Sequence, residues 1–243
     1  MRILELDAGN SRLKWRLLNG DTVASHGYLA NSDNWLQGLP LLMGQVEQVD
    51  CARASIVSGR ERFELLNAAI DRHFNISLQQ ASVKPDWRGV RVAYPGIGVD
   101  RWLAMLAANH QDRQTDKIVV SCGTAITLDM LNRDGEHLGG YIVPGIGLMK
   151  KMLHANTAQL PMVEMAASSV SPGKNSMDCI NNGVLAMAAA MVNEQQTTHK
   201  DCVVYLTGGD GALLKPYING ECFYHPELVM DGLSFAFEEA VLG

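Results

Sequence analysis

The stretch LELDAGNSRLKWRLLNGD, residues 4–21, contains the pattern that decides the fold. A short apolar run reaches Asp7, is followed by the small residues AGNS, and continues as a second run that carries Lys14. Apolar and polar residues alternate in that second run, and NGD at 19–21 is typical of a β-hairpin turn. The stretch therefore predicts two antiparallel strands joined by a glycine turn, with a third strand at 22–29.

A second stretch repeats this order after nearly half of the 243 residues. IVVSCGTAITLDMLNRDG, residues 118–135, again has an apolar run, a small-residue turn and two hairpin strands. Both hairpins lead to Gly-Tyr followed by aliphatic residues. We interpret the repeat as a duplication in which each half begins its sheet with a glycine turn. A chance similarity between two β-meanders is the alternative.

The composition is that of a globular protein, with 47% hydrophobic residues, 19% charged residues and a net charge of −6. The acidic balance argues against a nucleic-acid partner, which requires a clustered basic face. No apolar run approaches the ~20 residues that span a bilayer, and no signal segment is present, so we expect a cytoplasmic protein. The five cysteines lack the spacing of a zinc site or a disulfide framework.

Hydrophobic periodicity predicts further strands and helices along the chain. The predicted strands are 54–57, 117–121, 125–132, 137–143 and 202–206. The predicted helices are 32–43, 60–73, 100–111, 146–156, 176–194 and 228–241. This mixture of elements predicts an α/β protein.

Both glycine turns suit the binding of phosphate. A turn without bulky Cβ atoms lets backbone N–H groups approach an anion closely. The P-loop pattern is absent, and each turn leads into a strand instead of the helix that a Rossmann site requires. On this interpretation Asp7 holds hydrated Mg²⁺, residues 9–11 supply donors, and Lys14 neutralises phosphate charge. The alternative for Lys14 is a place on the solvated polar face of an amphipathic strand.

Six motifs, in the same order, resemble those of the type III pantothenate kinases. They are DAGNSRLK (7–14), GVDR (98–101), GTAITLD (123–129), GGYIVPG (139–145), PGKNS (172–176) and LTGGD (206–210). The resemblance implies the fold of the acetate kinase, sugar kinase and actin-like superfamily. That fold consists of two duplicated ribonuclease-H-like domains, each a mixed sheet flanked by helices, with a nucleotide cleft between them. The implied domains are residues 1–114 and 115–243.

The resemblance also implies a reaction, the ATP-dependent phosphorylation of pantothenate on its primary hydroxyl. This reaction gives 4'-phosphopantothenate and is the first step of coenzyme A biosynthesis. The family uses Mg²⁺ with ATP, and its pantothenate pocket is completed across a homodimer interface. Asp100 would be the general base, and the guanidinium of Arg101 would suit the carboxylate of pantothenate.

The implied site residues form two groups. The ATP-binding group comprises Asp7, Ala8, Gly9, Asn10, Ser11, Arg12, Leu13, Lys14, Thr124, Gly208 and Gly209, with Asp7 near the metal. The substrate-binding group comprises Tyr94, Gly98, Val99, Asp100, Arg101 and Ser176. A helix N-cap is the alternative for Asp100 and for Ser176, and a surface position is the alternative for Arg101.

Ser121 departs from the family pattern, which has Asp at this position. That Asp helps to bind an activating monovalent cation, K⁺ or NH₄⁺. A neutral hydroxyl is a weaker ligand for a hard cation than a carboxylate is. This argues against a cation site of the usual kind. One hypothesis is that Asp129 or backbone carbonyls supply part of the missing ligation.

Two other functions stay open. The first is a kinase of the same superfamily that phosphorylates another small alcohol, such as a sugar; the short chain and the GVDR motif argue against it. The second is a non-catalytic ATP-binding regulator that lost turnover when Asp was replaced by Ser121. The presence of Asp7, Lys14 and Asp100 argues against the second.

Overall fold

The computed structural model describes residues 1–30, 38, 44, 46 and 48–237. Contacts between Cα atoms divide the chain into two compact units. The first unit consists of Met1–Lys84, Gly96–Ala104 and Val229–Gly243, and the second consists of Pro85–Pro95 and Met105–Leu228. The first unit therefore combines three separate segments of the sequence.

Runs of strands are separated by helices along the described chain. The strands are β1 (Arg2–Ala8), β2 (Arg12–Asn19), β3 (Thr22–Ala30), β4 (Cys51–Ile56), β5 (Leu78–Gln80), β6 (Asp86–Trp87), β7 (Val90–Arg91), β8 (Lys117–Cys122), β9 (Ala125–Leu131), β10 (His137–Pro144), β11 (Val203–Thr207) and β12 (Cys222–Tyr224). The helices are α1 (Arg60–Phe74), α2 (Val99–Gln111), α3 (Ile146–Ala155), α4 (Ser176–Thr198), α5 (Gly211–Leu214) and α6 (Leu228–Phe237), with a 3-10 turn at Lys215–Tyr217.

The first unit is built on a five-stranded sheet with the order β3-β2-β1-β4-β5. Strands β1, β2 and β3 form an antiparallel meander, and β4 and β5 run parallel to β1. Leu4, Leu6 and Leu13 project from one face and pack in a core with Leu66 and Ile70 of α1. The period of two along a strand places alternate side chains on one face. The hairpin predicted from the alternating pattern is thus confirmed.

The opposite face of this sheet is covered by α6. The buried Arg16 on β2 donates hydrogen bonds to Glu5 at 2.6 Å and to Asp231 of α6 at 2.6 Å. The Ser234 hydroxyl donates to the other Glu5 oxygen at 2.9 Å. The alternating pattern of β2 predicts a polar face, but at Arg16 that face binds a helix and not solvent. A charged side chain can be buried here because each charge has a partner.

Helix α6 also packs closely against α2. Gly232 lies directly against the main chain of Leu103, and a side chain at residue 232 would clash with the Leu103 carbonyl. At the other end of α6, Lys84 donates to the Ala236 carbonyl at 3.1 Å. The sheet, α2 and the segment before β6 therefore all hold α6 in place.

The second unit is built on a five-stranded sheet with the order β10-β9-β8-β11-β12. Strands β8, β9 and β10 form an antiparallel meander, and β11 and β12 run parallel to β8. Ile118, Val120 and Leu128 pack with Leu185 and Val192 of α4. All five strands repeat the order and direction of the first sheet, which confirms the predicted fold class of two mixed sheets flanked by helices.

The longer predicted elements are confirmed to within a few residues, the largest difference being the end of α4 at Thr198 instead of residue 194. The short elements β5, β6, β7, β12 and α5 were not predicted. Two to four residues are too few for a periodic pattern to appear. Apart from residue 38, the helix predicted at 32–43 lies outside the described residues, as do residues 238–241 of the last predicted helix.

Each predicted half, 1–114 and 115–243, contains one of the two five-stranded sheets. The boundary between these halves stays a prediction. Within the ranges that the structure describes, no helix is both long enough and apolar enough to cross a bilayer.

Candidate active site

The first glycine turn joins β1 to β2 and has a row of polar side chains beside it. Lys14 lies opposite Asp7 on β2, and Ser55 lies opposite Asp7 on β4. Residues directly opposite each other on neighbouring strands share a face, with Cβ atoms about 5 Å apart. We call Lys14, Asp7 and Ser55 the charged row. It brings together the carboxylate and the lysine that the sequence singled out.

The loop after β4 contacts the same turn. The Ala8 carbonyl accepts hydrogen bonds from Val57 N–H at 3.4 Å and from the Ser58 hydroxyl at 3.3 Å. Arg62 in the first turn of α1 donates through Nη1 to the Gly9 carbonyl at 3.2 Å, and burial lowers the pKa of this guanidinium. Arg62 was not predicted. The missed signal is a cation in the first turn of a helix, where the dipole is unfavourable to positive charge.

Not every residue of the first motif presents its side chain. Ala8 and Leu13 are fully buried in the core of the first unit, so they offer only main-chain groups to a ligand. Asn10, Ser11 and Arg12 are exposed. The turn is closed by a hydrogen bond of 3.1 Å from the N–H of residue 9 to the carbonyl of Arg12.

The second glycine turn joins β8 to β9 and has a row of hydroxyl groups beside it. Ser121 lies opposite Thr127 on β9 and opposite Thr207 on β11. We call Thr127, Ser121 and Thr207 the hydroxyl row. Ser121 therefore occupies on the second sheet the place that Asp7 occupies on the first, and its neighbours carry no charge.

The tip of the second turn is held by the residue that precedes α3. Gly123 N–H donates to the Ala125 carbonyl at 3.0 Å, and Gly145 N–H donates to the Thr124 carbonyl at 2.9 Å. Gly145 packs against the main chain of the turn so closely that a side chain would clash with the Gly123 carbonyl. The Thr124 side chain is exposed.

Strand β11 ends beside the second turn at Gly208 and Gly209. Gly208 has φ +87° and lies against the main chain of Cys122, where a side chain would not fit. Asp210 N–H donates to the Cys122 carbonyl at 3.1 Å. Burial raises the pKa of the Cys122 thiol to about 12. This thiol therefore stays protonated at neutral pH and is not a nucleophile.

Asp100 is the second residue of α2 and lies inside its first turn. An N-cap residue precedes the helix, so the N-cap alternative for Asp100 is wrong. Its Oδ1 accepts a hydrogen bond of 2.9 Å from Arg101 N–H. A Cβ atom at Gly98 would come within 2.6 Å of this oxygen, so glycine leaves room for the carboxylate. The N-terminal end of a helix favours the ionised form of an acid. Arg101 is only 6% exposed, which rules out the surface alternative for this residue.

Tyr94 and Ser176 lie on two other segments. Tyr94 is 40% exposed, and its ring centre lies 5.9 Å from that of His137. Ser176 is the exposed first residue of α4. The cap of this helix is Asn175, whose side chain accepts a hydrogen bond of 2.9 Å from Asp178 N–H. The alternative that Ser176 is the N-cap is therefore wrong.

The predicted residues divide between the two units. The first unit contains Asp7–Lys14 and Gly98–Arg101, and the second contains Tyr94, Thr124, Gly208, Gly209 and Ser176. Among the residues that the structure describes, no group of three or more His, Cys, Asp or Glu side chains could hold a metal ion. Asp7 alone fits Mg²⁺, which usually binds one or two carboxylates together with water and substrate phosphates.

Known structures share this fold. A Campylobacter jejuni protein named after the Baf family of transcriptional activators aligns with a TM-score of 0.64 and 22% identity over 96% of each chain. The activator of 2-hydroxyisocaproyl-CoA dehydratase from Clostridium difficile, with bound ADPNP, aligns with a TM-score of 0.55 and 14% identity. The alignment covers 97% of this chain and 92% of the activator. These structures and the two equivalent sheets define the class by its fold, two duplicated ribonuclease-H-like domains that are each built on a mixed sheet.

Sequence comparison identifies the family within that class. The family model of the type III pantothenate kinases matches residues 3–198. The type III pantothenate kinase of Pseudomonas aeruginosa strain LESB58 is 35% identical over 253 residues, covering 96% of this chain and 98% of the relative. That of Psychrobacter cryohalolentis is 32% identical over 247 residues, covering 98% and 99%. The chain therefore belongs to the type III pantothenate kinase family, as the six motifs indicated.

Proposed function

We propose that this protein is a pantothenate kinase that acts in the cytoplasm. It transfers the γ-phosphoryl group of ATP to the primary hydroxyl of pantothenate, giving 4'-phosphopantothenate and ADP, the first step of coenzyme A biosynthesis. The observation that carries the proposal is the charged row. In this member of the family, Asp7 and Lys14 lie opposite each other beside a glycine turn. The binding of a phosphate chain and its metal ion requires such a carboxylate and such a cation close together.

The residues proposed to bind ATP lie on both glycine turns, one turn in each unit. Phosphoryl transfer has a loose transition state, so the protein mainly positions the reactants and offsets their charge. Lys14 and the main chain of residues 8–13 contact phosphate oxygens, and the exposed hydroxyl of Thr124 donates to another. Gly208 and Gly209 lie against the nucleoside. Asp7 would hold Mg²⁺ through water, and the ion would offset phosphate charge during transfer.

The proposed acceptor site is centred on Asp100. Its carboxylate accepts the proton of the pantothenate hydroxyl as the oxygen bonds to the γ-phosphorus. The bond from that phosphorus to the bridging oxygen of ADP breaks in the same step. Arg101 binds the pantothenate carboxylate through its planar guanidinium. Tyr94, Gly98, Val99 and Ser176 are the other residues proposed to bind pantothenate.

We propose that the enzyme is a homodimer that associates through α3 and α4. These helices form an apolar groove of about 600 Å³, lined by residues that include Met149, Met152, Ile180 and Met187. Met152 is 52% exposed and Met187 is 61% exposed. A contiguous exposed apolar surface of this kind usually marks an interaction site. The groove begins one turn after Ser176, so a second copy seated there would adjoin the proposed pocket.

A coupled ATPase assay tests the function. ATP consumption is measured with pantothenate, with sugars and without an acceptor, and we expect turnover with pantothenate alone. Asp100→Asn keeps the shape but lowers the basicity, so we expect turnover to fall by about 10²–10⁴ with ATP binding retained. Turnover with a sugar, or ATP binding without any turnover, would support one of the other two functions. Light scattering tests the dimer separately by measuring the molar mass of the wild type and of Met187→Glu. We expect a dimeric wild type and a monomeric variant.

A further inference from the structure

The second sheet buries a histidine and a carboxylate against each other. His137 begins β10 and Asp129 lies on β9, with His137 Nε2 2.9 Å from Asp129 Oδ1. The side chains are 0% and 2% exposed, respectively. Gly140 lies opposite Asp129, and a Cβ atom there would come within 2.9 Å of Oδ1. The neighbouring strand therefore leaves room for this carboxylate. A buried carboxylate is unfavourable as an ion unless it has a partner.

The two nitrogens of His137 have different roles. Nδ1 accepts a long hydrogen bond of 3.4 Å from Ala93 N–H, so it carries no proton. A buried nitrogen lone pair and a carboxylate oxygen 2.9 Å apart repel each other, so the proton is on Nε2. The Nε2–H does not meet the geometry of a hydrogen bond to Oδ1, and the contact is an electrostatic attraction between the N–H and the carboxylate. Asp129 thereby fixes which nitrogen faces the main chain of residue 93.

The segment that ends in Tyr94 is aligned against the turn between β9 and β10. Arg91 N–H donates to the Gly135 carbonyl at 2.8 Å, and the Arg91 side chain pairs with Glu136 at 3.1 Å. Two residues later, the bond to His137 Nδ1 continues this alignment, and the His137 ring contacts the Tyr94 ring. Arg91 is exposed and Glu136 is half-buried, whereas His137 is buried. His137 is therefore the interior contact closest to Tyr94 in this series.

We propose that Asp129 and His137 are positioning residues that hold the segment 93–95 for the acceptor substrate. They act through Ala93 and Tyr94 and do not touch pantothenate themselves. This inference rests on the proposed function to the extent that Tyr94 lines the pantothenate pocket. It replaces the sequence-based suggestion that Asp129 is a cation ligand, because the carboxylate faces a histidine inside the sheet.

The test compares four variants of the full-length protein. His137→Phe keeps the ring but removes both nitrogens, and His137→Gln supplies an amide oxygen that can accept from Ala93 N–H. Asp129→Asn removes the charge that fixes the tautomer. Val192→Ala is the control, because it loses packing in the core of the same unit around α4. The measurements are KM for pantothenate, KM for ATP, melting temperature, and hydrogen exchange of the peptide covering residues 88–98.

We expect His137→Phe to raise the KM for pantothenate about tenfold while the KM for ATP stays within about twofold. Exchange at residues 88–98 becomes faster, His137→Gln recovers part of both effects, and Asp129→Asn lies between wild type and His137→Phe. A melting temperature lowered as in Val192→Ala, with neither the exchange nor the pantothenate KM changed, would overturn the proposal. If His137→Phe does not fold, His137→Gln and Asp129→Asn decide by the same two readouts.

Failure of the proposed function gives a different result. Wild-type protein that does not use pantothenate refutes the kinase assignment, and it leaves the exchange measurement to decide whether His137 orders residues 93–95. Unchanged exchange in His137→Phe then rejects the positioning role regardless of substrate. Faster exchange supports the anchoring of this segment.

Discussion

The charged row and the hydroxyl row occupy equivalent places on equivalent sheets, yet their chemistry differs. In the first row Asp7 lies between Lys14 and Ser55, whereas in the second Ser121 lies between Thr127 and Thr207. The strand order and directions are the same in both sheets. The comparison indicates that the fold fixes where a polar row can stand beside a glycine turn, while residue type decides whether the row can hold charge.

A second pair of equivalent positions lies two residues further along each hairpin. Arg16 follows Lys14 on β2, and Asp129 follows Thr127 on β9. Both side chains are buried and both have partners. Arg16 pairs with Glu5 and Asp231, whereas Asp129 contacts His137. The first pair attaches a helix to the sheet, whereas the second contacts the Tyr94 segment. Duplicated positions have therefore acquired different tasks.

The largest expected effect separates the two rows directly. Asp7→Asn removes the carboxylate proposed to hold hydrated Mg²⁺, and we expect kcat/KM to fall about 10³-fold. Ser121→Ala removes only a neutral hydroxyl, so its loss should stay within about tenfold. Steady-state kinetics at saturating Mg²⁺ measures both. Equal losses in the two variants would show that the rows contribute equally and that the charge on the first has no special role.

The second prediction concerns the buried charges. Arg16→Met leaves Glu5 and Asp231 without their main partner, and we expect the free energy of unfolding to fall by about 3 kcal/mol or more. Arg60→Met is the matched control, because Arg60 pairs with Glu64 in an exposed contact whose side chains are 90% and 59% accessible. Urea denaturation compares the two. A loss for Arg16→Met no greater than that of the control would contradict the role given to α6.

Arg62 provides a third test, since a cation contacts the first turn while Asp210 contacts the second. Arg62→Ala removes a positive charge and a donor to the Gly9 carbonyl. We expect the KM for ATP to rise about five- to tenfold, because roughly one charge-assisted hydrogen bond is lost. The KM for pantothenate should not change. Arg62→Lys should keep most of the charge effect. An ATP KM that does not change in Arg62→Ala would assign Arg62 a purely structural role.

The smallest expected effect comes from giving the second row a charge. Ser121→Asp places a carboxylate where the family motif predicts one, and we expect turnover to acquire a stimulation by K⁺ of a few fold. Rates with K⁺, NH₄⁺ and a large organic cation distinguish ion binding from ionic strength. Saturable K⁺ stimulation of the wild type at the same level would contradict the interpretation of Ser121.

The sequence predicted local features more completely than distant contacts. The sequence predicted a short hairpin that carries Asp7 and Lys14 close together, and the structure shows that its register places them opposite each other. Arg16 lay within the same pattern, but its partner Asp231 is 215 residues away and no local signal connects them. The roles of Arg62 and His137 were missed for the same reason. Both depend on main-chain groups that another segment brings close.

The cover that α6 places over Glu5 and Arg16 has a consequence for biosynthesis. Asp231 and Ser234 leave the ribosome more than two hundred residues after Glu5 and Arg16. The strands of the first sheet end at Gln80, so this sheet can form early, but its interior charges must stay hydrated until α6 has been made. The second unit also depends on late segments, since it extends to Leu228. We therefore expect the α6 side of the first sheet to be completed late in the nascent chain, although the strands of this sheet are made before those of the second.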